Sequence, residues 1–97
     1  MRLVLRRQAK LDLADARRWY EEKRPGLGDS FLDAIDAVLA VILDHPNLHP
    51  RVSERVRRAS VSRFPYGIFY TVEGDTTRVI AILHNARDPE RWKGRTR

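Results

Sequence analysis

The sequence predicts an α+β domain: an antiparallel helical hairpin packed on one face of a small antiparallel β-sheet, in the order β-α-α-β-β-β. Three observations predict it. Apolar residues recur at helical spacing from Gln8 to Asp44, and the period falls to two after Arg55. Two helix-breaking pairs, Pro25-Gly26 and His45-Pro46, cut the first stretch into two helices. The chain has 97 residues, enough for one modest core, so residues 1–97 read as a single domain. That size excludes two-domain enzymes and barrels of eight βα units.

Arg2 to Arg6 alternates weakly and reads as a short strand. Gln8 to Lys23 reads as a helix, with Ala9, Leu13, Ala16 and Tyr20 on one apolar stripe. Asp12, Asp15, Arg17, Arg18, Glu21 and Glu22 lie mostly off it, and Trp19 sits beside it. A second helix runs from Leu27 or Asp29 to Asp44, with Phe31, Ile35, Val38 and Ile42 on its buried face. Asp29 or Ser30 is expected to cap it. The short link makes the two helices an antiparallel hairpin. His49 to Glu54 reads as a loop. Val56, Val61 and Phe64 mark a strand region bent near Ala59-Ser60. Gly67 to Glu73 is rich in β-formers, Gly74-Asp75 signals a hairpin turn, and Thr77 to His84 is apolar enough for an inner strand. Asn85 to Arg97 is a polar, basic tail carrying Trp92. The second sheet face is left for something else to cover.

Charge is unevenly placed. Residues 1–48 balance eight basic against eight acidic side chains, while residues 49–97 hold eleven basic and five acidic, which is the whole net charge of +6. Ten of those eleven are Arg, the side chain suited to phosphate and carboxylate forks. The pattern favours acidic partners, although a solvated surface accounts for it too. The chain has no cysteine, which excludes disulfides, thiolate metal sites and a thiol nucleophile. Its histidines are His45, His49 and His84, and Pro46 and Pro50 separate the first two from a shared helix, so no metal or other cofactor is expected. No segment reaches the length of a membrane span, and the charged N-terminus does not read as a signal peptide, so a cytoplasmic protein with no membrane partner is expected. What remains is a cluster in the basic half: Arg57, Arg58, Arg63, Tyr70, His84, Arg87, Arg91 and Trp92. Metal-free RNA cleavage needs an acid, a base and positive charge at the phosphate. His84 with Arg63 or Arg87 fits that need, and a structural histidine among solvated arginines fits the same residues.

Four motifs carry a resemblance. They are Ala9-x-x-Asp12-Leu13 followed by Trp19-Tyr20; Pro25-Gly26-Leu27-Gly28-x-x-Phe31; Arg63-Phe64-Pro65-Tyr66-Gly67-Ile68-Phe69-Tyr70; and His84-x-x-Arg87-Asp88-Pro89-x-x-Trp92. In this order and spacing the chain resembles toxins of the RelE/ParE superfamily from bacterial type II toxin–antitoxin systems. The resemblance implies a growth-inhibiting toxin, associated with plasmid stabilisation and neutralised by a cognate antitoxin, with which it forms higher-order hetero-oligomers. RelE-like members cut messenger RNA on the ribosome with basic residues and a C-terminal Tyr or His. ParE-like members are described as poisoning DNA gyrase and are not nucleases. Here Gly67 stands where RelE-like toxins carry an Arg, Ser60 stands near their Lys, and Trp92 near their C-terminal Tyr. The Phe-Pro-Tyr and Arg-Asp-Pro elements lean to the ParE side.

The favoured reading is therefore a ParE-like gyrase inhibitor rather than an enzyme. The alternative is a RelE-like ribonuclease acting through Arg58, Arg63, His84 and Arg87. A non-toxic basic module for nucleic acid is the third reading. Antitoxins of this family lay a partly helical C-terminal segment over the toxin, which needs exposed apolar anchors and complementary charge. Trp19, Tyr20, Arg57, Arg58 and Arg63 are the expected antitoxin contacts. Arg63, Tyr70, His84, Arg87, Arg91 and Trp92 are the expected target contacts. Truncation after Asn85 is expected to end growth arrest while leaving the helical hairpin folded.

Overall fold

The structure is a computed structural model. It describes residues 2–96; Met1 and Arg97 of the expected domain lie outside the described residues. The weakly alternating N-terminus forms β1 (Arg2–Leu5), and the chain passes straight into α1 (Arg7–Lys23). The expected stripe is the buried one: Ala9, Ala16 and Tyr20 are enclosed and Leu13 packs against them. After a turn at Pro25-Gly26, α2 (Leu27–Asp44) buries Phe31, Ala34, Ile35 and Ile42. Then follow β2 (Arg57–Ser60), β3 (Tyr66–Glu73), β4 (Thr76–His84) and a short 3₁₀ turn, η1 (Arg91–Arg95).

The start of α2 differs from expectation. Neither Asp29 nor Ser30 caps it. Gly26 is the capping residue, in a left-handed conformation (φ 88°) that favours glycine, and the Glu21 carboxylate reaches across from α1 to accept the Gly26 and Gly28 N–H groups at 3.0–3.1 Å. Asp29 pairs instead with Arg17. A Cβ on Gly28 would sit 2.8 Å from the Arg17 carbonyl oxygen, so the second glycine of the Pro-Gly-x-Gly motif lets the two helices touch backbone to backbone. A cap supplied from 7 residues upstream carries no local signature.

The sheet order is β1-β4-β3-β2. The meander of β2, β3 and β4 is antiparallel, as expected, but β1 runs parallel to β4, so the sheet is mixed. Side chains alternate with the same period in both kinds of ladder, so periodicity cannot choose between them. The direction of β1 is set by the helical hairpin, which carries the chain across to the far edge before the meander returns. β4 is the inner strand the apolar run predicted.

A bulge at Phe69/Tyr70 leaves Ile80 unmatched in β4 and turns it to the second sheet face. Two cores result. The larger lies between helices and sheet. Tyr20, Phe31, Phe64 and Tyr66 meet there with ring centroids 5.0 to 6.1 Å apart, joined by Ile35, Ile42, Ile68, Tyr70, Val79 and Ile82. The smaller core is on the second face: Val56, Phe69, Ile80, Ala81, Leu83 and Trp92. The tail is what covers that face. No helix among the described residues is long and apolar enough to cross a membrane.

Candidate functional site

The basic half does not form one surface. Because cross-strand partners share a face, Arg57 (opposite Tyr70) points to the helical side and Arg58 (opposite Phe69) to the other. Arg57 donates to the carbonyls of Asn47 and His49, at 3.2 and 2.7 Å, and ties the loop before β2 to the sheet. Beside it, Tyr70 is fully buried and its hydroxyl donates to the Pro46 carbonyl at 2.9 Å. That spends the single hydroxyl proton, so the His49 ring, 3.1 Å away, is the donor to the Tyr70 oxygen through Nδ1–H. The expected target contact Tyr70 is thus a core residue that fastens a loop.

This arrangement gives His49 a pH dependence. Burial, and after it the Arg57 guanidinium, lower its pKa below the ordinary histidine value. The unfolded chain therefore takes up a proton at higher pH than the folded one. The stability that neutral His49 contributes is fully present above about pH 6.5 and is lost as pH falls from there through the folded pKa. Melting temperature should hold steady just above neutrality and decline from pH 6.5 towards 5. In His49→Gln the decline over that interval should be shallower, and an unchanged slope would assign it to other groups.

Three hollows hold the remaining site residues. The first, of about 220 Å³, lies between α1 and the turn after β4 and is lined in part by Trp19, Tyr66, His84, Arg87 and Arg91. Trp19 is 40 % exposed there, edge-on to Tyr20, with the Lys23 ammonium 4.7 Å and the Arg87 guanidinium 5.2 Å from its ring centroid. Arg87 also donates to the Tyr66 hydroxyl at 3.1 Å. Trp19 and Arg87, expected on separate surfaces, therefore touch. Tyr20, expected beside Trp19 as an anchor, is enclosed in the larger core and offers no such face. Burial raises its pKa, and those of Tyr66 and Tyr70, above the ordinary tyrosine value, so all three hydroxyls hold their protons.

The second hollow, of about 300 Å³, lies on the second sheet face under the tail, with Arg58 and His84 at its rim and Phe69, Leu83 and Trp92 below. Trp92 is buried and stacked on Phe69, centroids 5.5 Å apart and planes 14° apart. The third, of about 400 Å³, runs between α2 and β2 and is lined by Ala34, Ala37, Val38 and Val41 with Arg63 at one end. Arg63 is exposed and adopts φ 70°, which non-glycine residues rarely do.

The four residues of the ribonuclease alternative are thus divided. Arg58 shares a hollow with His84, Arg87 shares another with His84, and Arg63 lines the third. His84 Nδ1 accepts the N–H groups of Ala86 and Arg87 at 3.0 and 3.2 Å, and its ring stands edge-on to Tyr66. It closes the turn after β4. Arg91 pairs with Asp88 at 3.0 Å. Among the described residues no three His, Cys, Asp or Glu side chains converge as metal ligands would.

Residue reading missed the pair that fastens the tail. Asp12 accepts from Arg95 through both of its oxygens and from the Ile82 backbone N–H at 3.0 Å, and the two side chains are only 10 % and 11 % exposed. β1 pairs with β4 only as far as Val79, so the Ile82 N–H beyond it would otherwise lack a strand partner. The signal was present: an acidic side chain inside the Ala9-x-x-Asp12-Leu13 motif, one turn from the apolar stripe.

The family profile described as the ParE toxin of the type II toxin–antitoxin system, parDE, matches residues 3–89. The chain belongs to the ParE toxin family. Ten solved chains match its structure. Among them is one from the chromosomal ParDE toxin–antitoxin system of P. aeruginosa, with a TM-score of 0.78 and 23 % identity, covering 87 % of this chain and 95 % of that one. At that identity the likeness shows the shared fold: two helices on a four-stranded sheet. No curated protein matches. The matched residues 3–89 include the Pro-Gly-x-Gly and Arg-x-Pro-Tyr segments, whose local roles here are the helix contact at Gly28 and the turn that places Tyr66 in the core.

Proposed function

We propose that this ParE-family chain arrests growth by poisoning DNA gyrase, cuts no RNA, and is neutralised by an acidic segment of a cognate antitoxin. One observation carries the non-nuclease half. The basic residues a ribonuclease would gather at one phosphate lie in three hollows, and the Nδ1 of the one histidine among them is engaged by two backbone N–H groups. The antitoxin half is supported by the family and by a structural neighbour that comes from a toxin–antitoxin pair. The Trp19–Arg87–Lys23 patch, an exposed ring between two cations, is the kind of anchor an acidic, partly apolar segment takes.

The test adds purified protein to a plasmid supercoiling assay with gyrase and to translating ribosomes. Supercoiling should fail while messenger RNA stays intact, and Trp19→Ala should weaken the antitoxin complex about tenfold with the fold unchanged. Cleaved message with normal supercoiling would establish the ribonuclease alternative instead. An unaltered dissociation constant would remove Trp19 from the interface.

A further inference from the structure

Arg58 is held in an unusual setting for a surface cation. Its guanidinium lies flat on the backbone of Gly67: a Cβ there would come within 2.6 Å of Nε and 2.8 Å of Nη2. Nη1 donates to the Ser60 hydroxyl at 2.9 Å and Nη2 donates to the Asn85 side-chain oxygen. The Phe69 ring centroid is 5.8 Å from Cζ. Asn85 is itself fixed, its N–H donating to the Pro65 carbonyl. Those two bonds use two of the five donors a guanidinium carries. Among the described residues no carboxylate pairs with Arg58, whereas Arg17, Arg18, Arg78, Arg91, Lys93 and Arg95 each have one.

We propose that the hollow on the second sheet face is a binding site for a single carboxylate on a peptide, with Arg58 as its anchor and Gly67 as the positioning residue that leaves the guanidinium its place. The lining decides between partners. Val52, Phe69, Leu83, Pro89 and Trp92 make most of the hollow apolar. The other rim charges, Lys93 and Glu90, pair with each other. The site therefore presents one uncompensated cation over an apolar floor. That complements an Asp or Glu flanked by an apolar side chain better than a run of phosphodiesters, whose successive charges would find one unpaired cation and an apolar floor. The volume of about 300 Å³ accommodates two or three side chains. The inference rests on the reading of the chain as one that takes an acidic partner, and it names where one acidic residue of that partner sits.

Its test needs neither gyrase nor antitoxin, so its failure is separate from failure of the functional reading. The probe is the peptide Ac-Ala-Leu-Glu-Leu-Ala-NH₂, titrated into ¹⁵N-labelled protein, with the Glu→Gln peptide and a uridine oligonucleotide as parallel arms. The Glu peptide should shift the Arg58 Nε–H and Trp92 indole resonances saturably. The Gln peptide should bind about tenfold more weakly, as the loss of a charge-assisted pair implies. Arg58→Gln should weaken binding of the Glu peptide by a similar factor. Gly67→Ala should do the same with Arg58 intact, because its Cβ displaces the guanidinium; if that variant does not fold, Arg58→Gln decides alone. Equal binding of the Glu and Gln peptides, shifts that avoid Arg58, or displacement of the peptide by the oligonucleotide would each overturn the proposal, the last in favour of a phosphate site.

Discussion

Trp92→Ala is expected to cost about 3 to 5 kcal/mol of unfolding free energy, the usual range for deleting a buried Trp side chain. The ring is 6 % exposed and lies flat on Phe69, closing the smaller core. For a domain of 97 residues that corresponds to a fall in melting temperature of more than about 12 °C. Denaturant titration followed by far-UV circular dichroism measures it. Trp92→Phe keeps an aromatic ring against Phe69 and should retain most of the stability. The pair of variants also separates two roles. On the proposed gyrase reading, if Trp92 only holds the tail down, Trp92→Phe should inhibit supercoiling as strongly as the unsubstituted chain. Loss of inhibition with an unchanged melting temperature would make the ring a target contact. Truncation after Asn85 cannot make that distinction, because it removes Trp92 and Arg95 together and opens the second sheet face.

Asp12→Ala should cost about 3 kcal/mol, because it leaves the guanidinium of Arg95 in a place nearly closed to water with no carboxylate beside it. The Ile82 N–H loses its acceptor in the same step. The cost comes mainly from the charge left behind, so a second substitution should recover part of it. Asp12→Ala with Arg95→Met is expected to be less destabilised than the two single variants added together, and a double-mutant cycle reads the difference. Strict additivity would mean that the two side chains do not act as a pair. Arg95 also donates to the Ile80 carbonyl at 3.2 Å, so the tail, α1 and β4 are joined at one point.

The two predictions meet on the C-terminal tail, whose sequence reads as polar and basic. Its one large aromatic, Trp92, was expected as a target contact. The ring is buried in the folded chain and holds the tail to the sheet, and that burial depends on Phe69, Val56 and Leu83 arriving from three other segments. The same holds for Tyr20 and Tyr70. Both carry a hydroxyl that suits a binding surface. Both are enclosed because the stripe of α1 and the inward face of β3 place them there. Trp19, one residue from Tyr20, turns to solvent for the same reason: neighbouring helical positions point about 100° apart.

What the sequence by itself determined was whatever depends on local spacing. The two helices, their buried stripes, the hairpin between them, the strand meander and the inner position of β4 all follow from periods of 3.6 and 2 and from where Pro and Gly interrupt them. The motif order was enough to point to the superfamily. What only the tertiary structure decided was whatever depends on residues far apart in the chain. The parallel pairing of β1 with β4 is one case. The cap that Glu21 supplies to α2, the bulge that turns Ile80, and the Asp12–Arg95 bond across 83 residues are others. The division of the arginines among three hollows belongs with them. A ladder's direction, a distant acceptor and a shared cavity leave no periodic trace, because each is fixed by which surfaces the folded chain brings together.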